Sequence, residues 1–209
     1  SGDVGTVNRN FVIDQISLSS SNYSSVELLI SSSSDFSSAT TTTGTISCNT
    51  LTFTGVNLTD GDYFTLNYSD VQPITWDGTD YANGSGTNEA PSTLDQGRKL
   101  VILNPSATLT ESASVGCFHI ASGADVTISS GVELAVQQDI YNLGNLDASE
   151  ANITLDGNQT QEITGKSLSF GELEVNNTNG VTINLDADEV LYIDSILRVT
   201  DGNLNTGNA

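Results

Sequence analysis

Between Gly144 and Asn208 the sequence repeats one short theme: an apolar, a polar and an apolar residue, then a turn. Ile153-Thr154-Leu155, Leu173-Glu174-Val175, Val181-Thr182-Ile183, Leu191-Tyr192-Ile193 and Leu197-Arg198-Val199 all carry it. Alternation with a period of two puts the apolar side chains of each triplet on one face of an extended strand. The separators are turn formers: Asp156-Gly157, Thr164-Gly165, Asn179-Gly180 and Asp201-Gly202. Strands this short do not hold a hairpin together alone. They become stable when stacked as rungs that share one core. The chain therefore reads as all-β, with a right-handed parallel β-helix, a solenoid, as its main body.

The same rhythm extends backward through Leu100-Val101-Ile102-Leu103, Ala107-Thr108-Leu109, Cys117 to Ile120, Val126-Thr127-Ile128, Val132 to Val136 and Ile140 to Leu143. A first rung exposes its core unless something covers it, and Trp76 with the loop after it is the expected cap. The solenoid is placed at 74–209. Its last residues, Leu204 to Asn208, look like an unfinished rung, so continuation beyond the C-terminus is expected. Residues 1–73 differ in character. Phe11-Val12-Ile13, Ile16-Ser17-Leu18, Val26 to Ile30 and Gly44 to Leu66 suggest a small antiparallel β-sandwich of four to six strands. Thr59-Asp60-Gly61-Asp62 is read as a hairpin turn. Ser31 to Thr43, a Ser/Thr run with Phe36 as its one large apolar residue, is read as a long exposed loop.

Charge narrows the function classes. Asp and Glu number 26 against 5 Lys and Arg, for a net charge of −21. Such a field repels nucleic acid and anionic membrane surfaces. No apolar run is long enough to span a bilayer. The acids are scattered, which fits a soluble extracellular surface better than a cation store.

Motifs that carry chemistry are sparse. Cys48 and Cys117 are too few for a disulfide scaffold, have no metal-ligand spacing, and are candidates for pairing with each other. Cys117 and His119 alternate with apolar neighbours on one strand. A nucleophile–base or metal pair there would need a third partner, so a structural role is preferred. Asp60 and Asp62 bring two carboxylates to one turn and are the candidate calcium ligands. Asp186, Asp188 and Glu189 are a second such group, and solvated turns are the plainer reading of both. Trp76 and Tyr81, with nearby aspartates, are candidate glycan contacts. A polysaccharide-cleaving site would need acids and a basic residue in one groove. The only basic cluster along the sequence is Arg98-Lys99. No catalytic residue is assigned, and no cofactor beyond the candidate calcium.

The segments SGADVTISSGVEL (122–134), YNLGNLDA (141–148), NITLDGNQTQEITG (152–165), FGELEVNNTNGVTIN (170–184) and LRVTDGNLNTGN (197–208) resemble a known group. They are similar to β-helical repeats in very large surface and secreted proteins of Bacteroidetes-type bacteria, among them adhesins of the type IX secretion system and gliding-motility adhesins. VNLTDGDYFTL (56–66) resembles a small β module that often precedes such repeats. The resemblance implies an extracellular or cell-surface location and a role in adhesion or as a stalk. It supplies no catalytic residue. The partners it implies are neighbouring modules of the same large protein, with surface polysaccharide or other cell-surface proteins as the targets. The leading expectation is a non-enzymatic structural and adhesion module. A carbohydrate-binding module and a polysaccharide-degrading β-helix enzyme are the alternatives.

Overall fold

The computed structural model describes residues 6–12, 22–47, 50–71, 73–82, 90–95, 98–103 and 106–207. Every regular element among them is a β-strand. The chain divides between Val71 and Gln72 into two compact units.

The first unit holds two three-stranded antiparallel sheets. In one, β1 (Thr6–Val12) and β4 (Thr45–Ser47) flank β5 (Thr50–Asn57). In the other, β3 (Thr40–Thr43) and β6 (Tyr63–Val71) flank β2 (Asn22–Ser31). Val26, Leu28 and Ile30 of the second sheet meet Leu51, Phe53 and Val56 of the first in one buried cluster. Alternate residues face inward, as a sandwich requires. Two expectations are corrected here. Part of the Ser31–Thr43 run is not loop: the β-branched Thr40–Thr43 segment pairs along Glu27 to Ile30 as an edge strand. The 59–62 turn is tight, with Asp62 N–H donating to Thr59 O at 3.1 Å, but it is not a hairpin. It carries the chain from β5 in one sheet to β6 in the other, because each strand already has partners elsewhere. Ile13, Ile16 to Leu18 and Cys48 lie outside the described residues.

The second unit is a parallel β-solenoid of about 5 turns with three faces. The first face stacks β10 (Ser106–Leu109), β13 (Asp125–Ile128) and the opening residues of β16 (Asn145–Leu155), β18 (Leu168–Leu185) and β19 (Leu191–Thr206). The second face stacks β11 (Ala113–Val115), β14 (Glu133–Val136) and the middle of those three long strands. The third face starts at β7 (Ile74–Trp76), which also pairs with the short antiparallel β8 (Tyr81–Ala82). It continues through β9 (Leu100–Ile102), β12 (Phe118–Ile120), β15 (Ile140–Asn142), β17 (Gln161–Gly165) and the ends of β18 and β19.

Register shows why the triplets work. Ala107, Val126, Leu146, Leu168 and Leu191 stack, so successive turns advance the chain by 19, 20, 22 and 23 residues. Two inward columns are wholly apolar over these turns: Val115, Val136, Leu155 and Val175 on one face, Leu100, Phe118, Ile140 and Ile163 on another. All eight are essentially inaccessible. Each buried Val, Leu, Ile or Phe contributes about 1.5–3 kcal/mol by leaving water. No triplet could bury its side chains without the rungs above and below it.

The corners are held by buried side-chain amides. Asn142 donates to Ser167 O at 3.0 Å and accepts from Gly144 N–H at 3.2 Å. Gln161 donates to Val136 O and Gln138 O, and accepts from Gly157 N–H at 2.9 Å and from Asn177 at 2.8 Å. These amides replace water for backbone groups that leave the sheet ladder where the chain turns. At one such corner Gly165, with φ of +96°, lies where a Cβ would come within 2.0 Å of Asn142 O. Only glycine fits there.

Candidate functional site

The outward residues of the second face form a polar groove. Glu133, Asn152 and Glu172 stand in one row across successive turns; Thr154, Glu174 and Arg198 stand in the next. The rows are two residues apart on each strand, so all six side chains share one face. Together they line a concavity of about 200 Å³. The Arg198 guanidinium lies 3.4 Å from Glu174 and 3.9 Å from Glu172. The Thr200 hydroxyl donates to the other Glu174 oxygen at 2.6 Å. Carboxylate acceptors, a guanidinium fork, an amide and hydroxyls in one shallow groove suit a ligand with several hydroxyl groups. Sequence reading missed this cluster. Glu172 and Glu174 flank Leu173 on one strand, but Arg198 joins them only because the second face advances 24 residues between Glu174 and Arg198. That offset follows from the rung register alone.

Trp76 and Tyr81 do come together, with ring centroids 4.8 Å apart and planes inclined at 51°. They form part of the core more than an open platform. Tyr81 is buried, Trp76 packs against the solenoid core, and the indole N–H donates to Ser106 O at 2.8 Å. Burial pushes the Tyr81 phenol up to about 12. The adjacent Asp77 is committed to its own turn: Thr79 N–H and Asp80 N–H donate to its carboxylate, holding it below the ordinary range.

The proposed calcium residues are likewise engaged locally. Asp62 accepts the Thr59 N–H at 2.8 Å. Glu189 accepts from the Ser167 hydroxyl and backbone N–H of the preceding turn. Those bonds, with Lys166 nearby, hold its carboxyl below the ordinary range. Asp186 O accepts the Glu189 N–H, and Asp188 takes φ of +68° to close the same turn. Among the described residues no group of three or more His, Cys, Asp or Glu side chains is arranged to hold a metal ion.

Cys117 is disulfide-bonded, which removes it as a nucleophile or thiolate ligand. Its proposed partner Cys48 lies outside the described residues. His119 points away from the solenoid core, partly buried, and its ring stands 5.0 Å from that of Tyr141 on the next turn.

One further acid is set apart by its surroundings. Asp156 sits at a corner in a concavity of about 280 Å³ with Gln137, Gln138, Gly157 and Asn158. Burial raises its carboxyl above the ordinary range.

No family model, no curated protein and no solved structure matches this chain. No helix among the described residues is long and apolar enough to cross a membrane.

Proposed function

We propose that this chain is a non-enzymatic structural and adhesion module of a large secreted bacterial cell-surface protein, serving as a rigid stalk or surface-binding segment. One observation carries the reading. An uninterrupted apolar column runs through the solenoid, beneath outer faces built from Thr, Asn, Ser, Asp and Glu. A column of this kind resists bending because every rung is bonded to its neighbours along three faces. The polar faces repeat along the axis and offer many equivalent hydrogen-bonding positions. The acidic balance keeps such a surface soluble and away from nucleic acid and anionic lipid. The similarity to repeats of type IX secreted adhesins points the same way. Its partners would be neighbouring modules and the polysaccharides or proteins of a cell surface.

The test is retention of beads coated with the purified chain on bacterial cells and on polysaccharide-coated glass. Retention above that of beads carrying an unrelated protein of equal acidity supports adhesion. Equal retention on every surface overturns it and leaves the stalk role to be read by single-molecule pulling.

A carbohydrate-binding module is the second reading, and the Glu172–Glu174–Arg198 groove favours it. That groove offers more free hydrogen-bonding capacity than the Trp76–Tyr81 pair, whose indole N–H is already used. On a glycan array this reading requires hits that vanish with Arg198→Ala.

A further inference from the structure

The last described turn of the solenoid, built on β19, carries an uncovered apolar surface. Leu197 and Val199 stand in register with Leu173 and Val175, which are fully buried. Yet Leu197 is 50% exposed and Val199 47%. On the first face Leu191 and Ile193 cover Leu168 and Phe170, and on the third Leu204 covers Val181, but nothing lies beyond them among the described residues. The inward columns of all three faces thus surface together. They floor a concavity of about 820 Å³ to which Leu185, Leu191, Ile193, Leu197 and Leu204 contribute. The backbone is open as well. β19 is 16 residues long and bonds to β18 along one edge. Its other edge meets no strand among the described residues. A long, unpaired strand edge beside exposed apolar side chains is a template for another strand.

We infer that this end is a docking surface for one further β-rung: an extended polypeptide segment of the same three-strand pattern, laid parallel on β19. Continuity argues for that occupant. Along all three faces successive turns meet in parallel ladders whose inward side chains are mostly apolar and cover apolar side chains. A second copy meeting this one end to end fits less well. It would press the Asp186, Asp188 and Glu189 corner of each copy towards the same acids of the other, on chains that each carry −21. The inference deepens the stalk reading, since it names what the stalk's end receives, but its test does not depend on any surface ligand.

The experiment appends a second copy of residues 186–207 after Ala209, with Asp186→Asn, Asp188→Asn, Glu189→Gln, Asp194→Asn and Asp201→Asn in the appended copy so that no carboxylate stacks on its counterpart. A scrambled segment of the same composition serves as control. Hydrogen exchange is read at Leu191 to Thr206, where open edges exchange fastest. The expected result is at least a tenfold slowing there, protection of the appended amides, and a melting temperature above that of the scrambled control. Leu197→Lys in the original rung should abolish these gains while leaving the circular dichroism β-rich. An appended rung that stays protease-sensitive and leaves β19 exchange unchanged overturns the inference. So does light scattering showing the unextended chain to be a dimer with β19 already protected, which would assign the end to a second copy. Loss of adhesion in the bead assay would leave all these readouts in place.

Discussion

The side-chain amide of Asn177 donates to Gln161 Oε1 at 2.8 Å inside the solenoid wall, joining two successive turns at one corner. Asn177 also donates to Gln159 O at 2.7 Å, and its own oxygen accepts the Asn179 N–H at 2.9 Å. Both side chains are about 1% exposed. With Val136 O, Gln138 O and the Gly157 N–H, every donor and acceptor position of the Gln161 amide is filled. Gln161→Leu keeps the volume but strands several buried polar groups. It is expected to cost about 3 kcal/mol, and to lower the solenoid's melting temperature by about 6–12 °C. Asn177→Ala leaves fewer groups unpaired and should cost about 1–2 kcal/mol. The double variant should cost less than the sum, and thermal denaturation of all four forms measures that coupling.

Gly165 and Gly123 separate backbone strain from steric exclusion. Both have positive φ, but a Cβ at Gly123 meets nothing within 4 Å, whereas one at Gly165 strikes Asn142 O. Gly123→Ala should cost about 1 kcal/mol, the left-handed penalty alone. Gly165→Ala must also push apart two turns and should cost about 3 kcal/mol or more. Urea unfolding followed by circular dichroism compares them. Equal costs would mean the corner yields.

Asp156 and Glu189 should respond to pH in opposite senses. Burial raises the Asp156 carboxyl in the folded state, so its ionisation opposes folding as the pH climbs through the ordinary carboxylate range. Asp156→Asn should therefore raise the melting temperature at pH 7 by about 1–2 °C, a small effect because the site is partly screened by solvent. The gain should vanish at pH 3. The Ser167 bonds depress the Glu189 carboxyl, so its contribution is present above the ordinary range and lost as the pH falls through it. Glu189→Gln should destabilise at pH 7, and the effect should shrink as the pH falls below the ordinary carboxylate range.

Arg198→Ala distinguishes packing from recognition. Its guanidinium is half exposed, at 3.4 and 3.9 Å from its two glutamates. Pairs of this kind are worth about 0–1 kcal/mol. The melting temperature should move by no more than about 3 °C, while any glycan binding through the groove should fall at least tenfold. A large loss of stability with binding intact would assign Arg198 to holding the last turn.

The solenoid was legible because its determinants are local and repeated. Ile153-Thr154-Leu155 and Leu173-Glu174-Val175 name their faces by alternation, and Gly165 marks a turn without knowledge of the fold. The three-faced geometry and the 18–26 residue advance were not legible, since they depend on how tightly each corner closes. For the same reason the Glu174–Arg198 pair was invisible. In the first unit the local signals misled. Asp60-Gly61 does make a tight turn, but whether a turn closes a hairpin or a crossover is decided by strands far away, here β1 and β2. The Thr40–Thr43 run lacked apolar residues, yet an edge strand needs only β-branched side chains and one neighbour. Trp76 and Tyr81, read from the sequence as candidate glycan contacts, lie ring to ring, but aromatic residues near an open end have two uses. Burial of Tyr81 and the Trp76–Ser106 bond show the pair packed against the core of the first turn.

The short advance per turn also sets how this sheet can assemble. A strand here waits for a partner only 18 to 26 residues away, roughly a tenth of the chain, a locality more usual in helical bundles than in β proteins. Once two turns have formed, each later one closes a loop of similar length on a finished template, so growth can proceed like a zipper from any starting turn. The first unit has no such even spacing: β4 pairs locally with β5, but Thr6 must find Asn57 to complete that sheet. Stopped-flow refolding should therefore resolve a fast phase from the parallel unit and a slower one from the antiparallel unit.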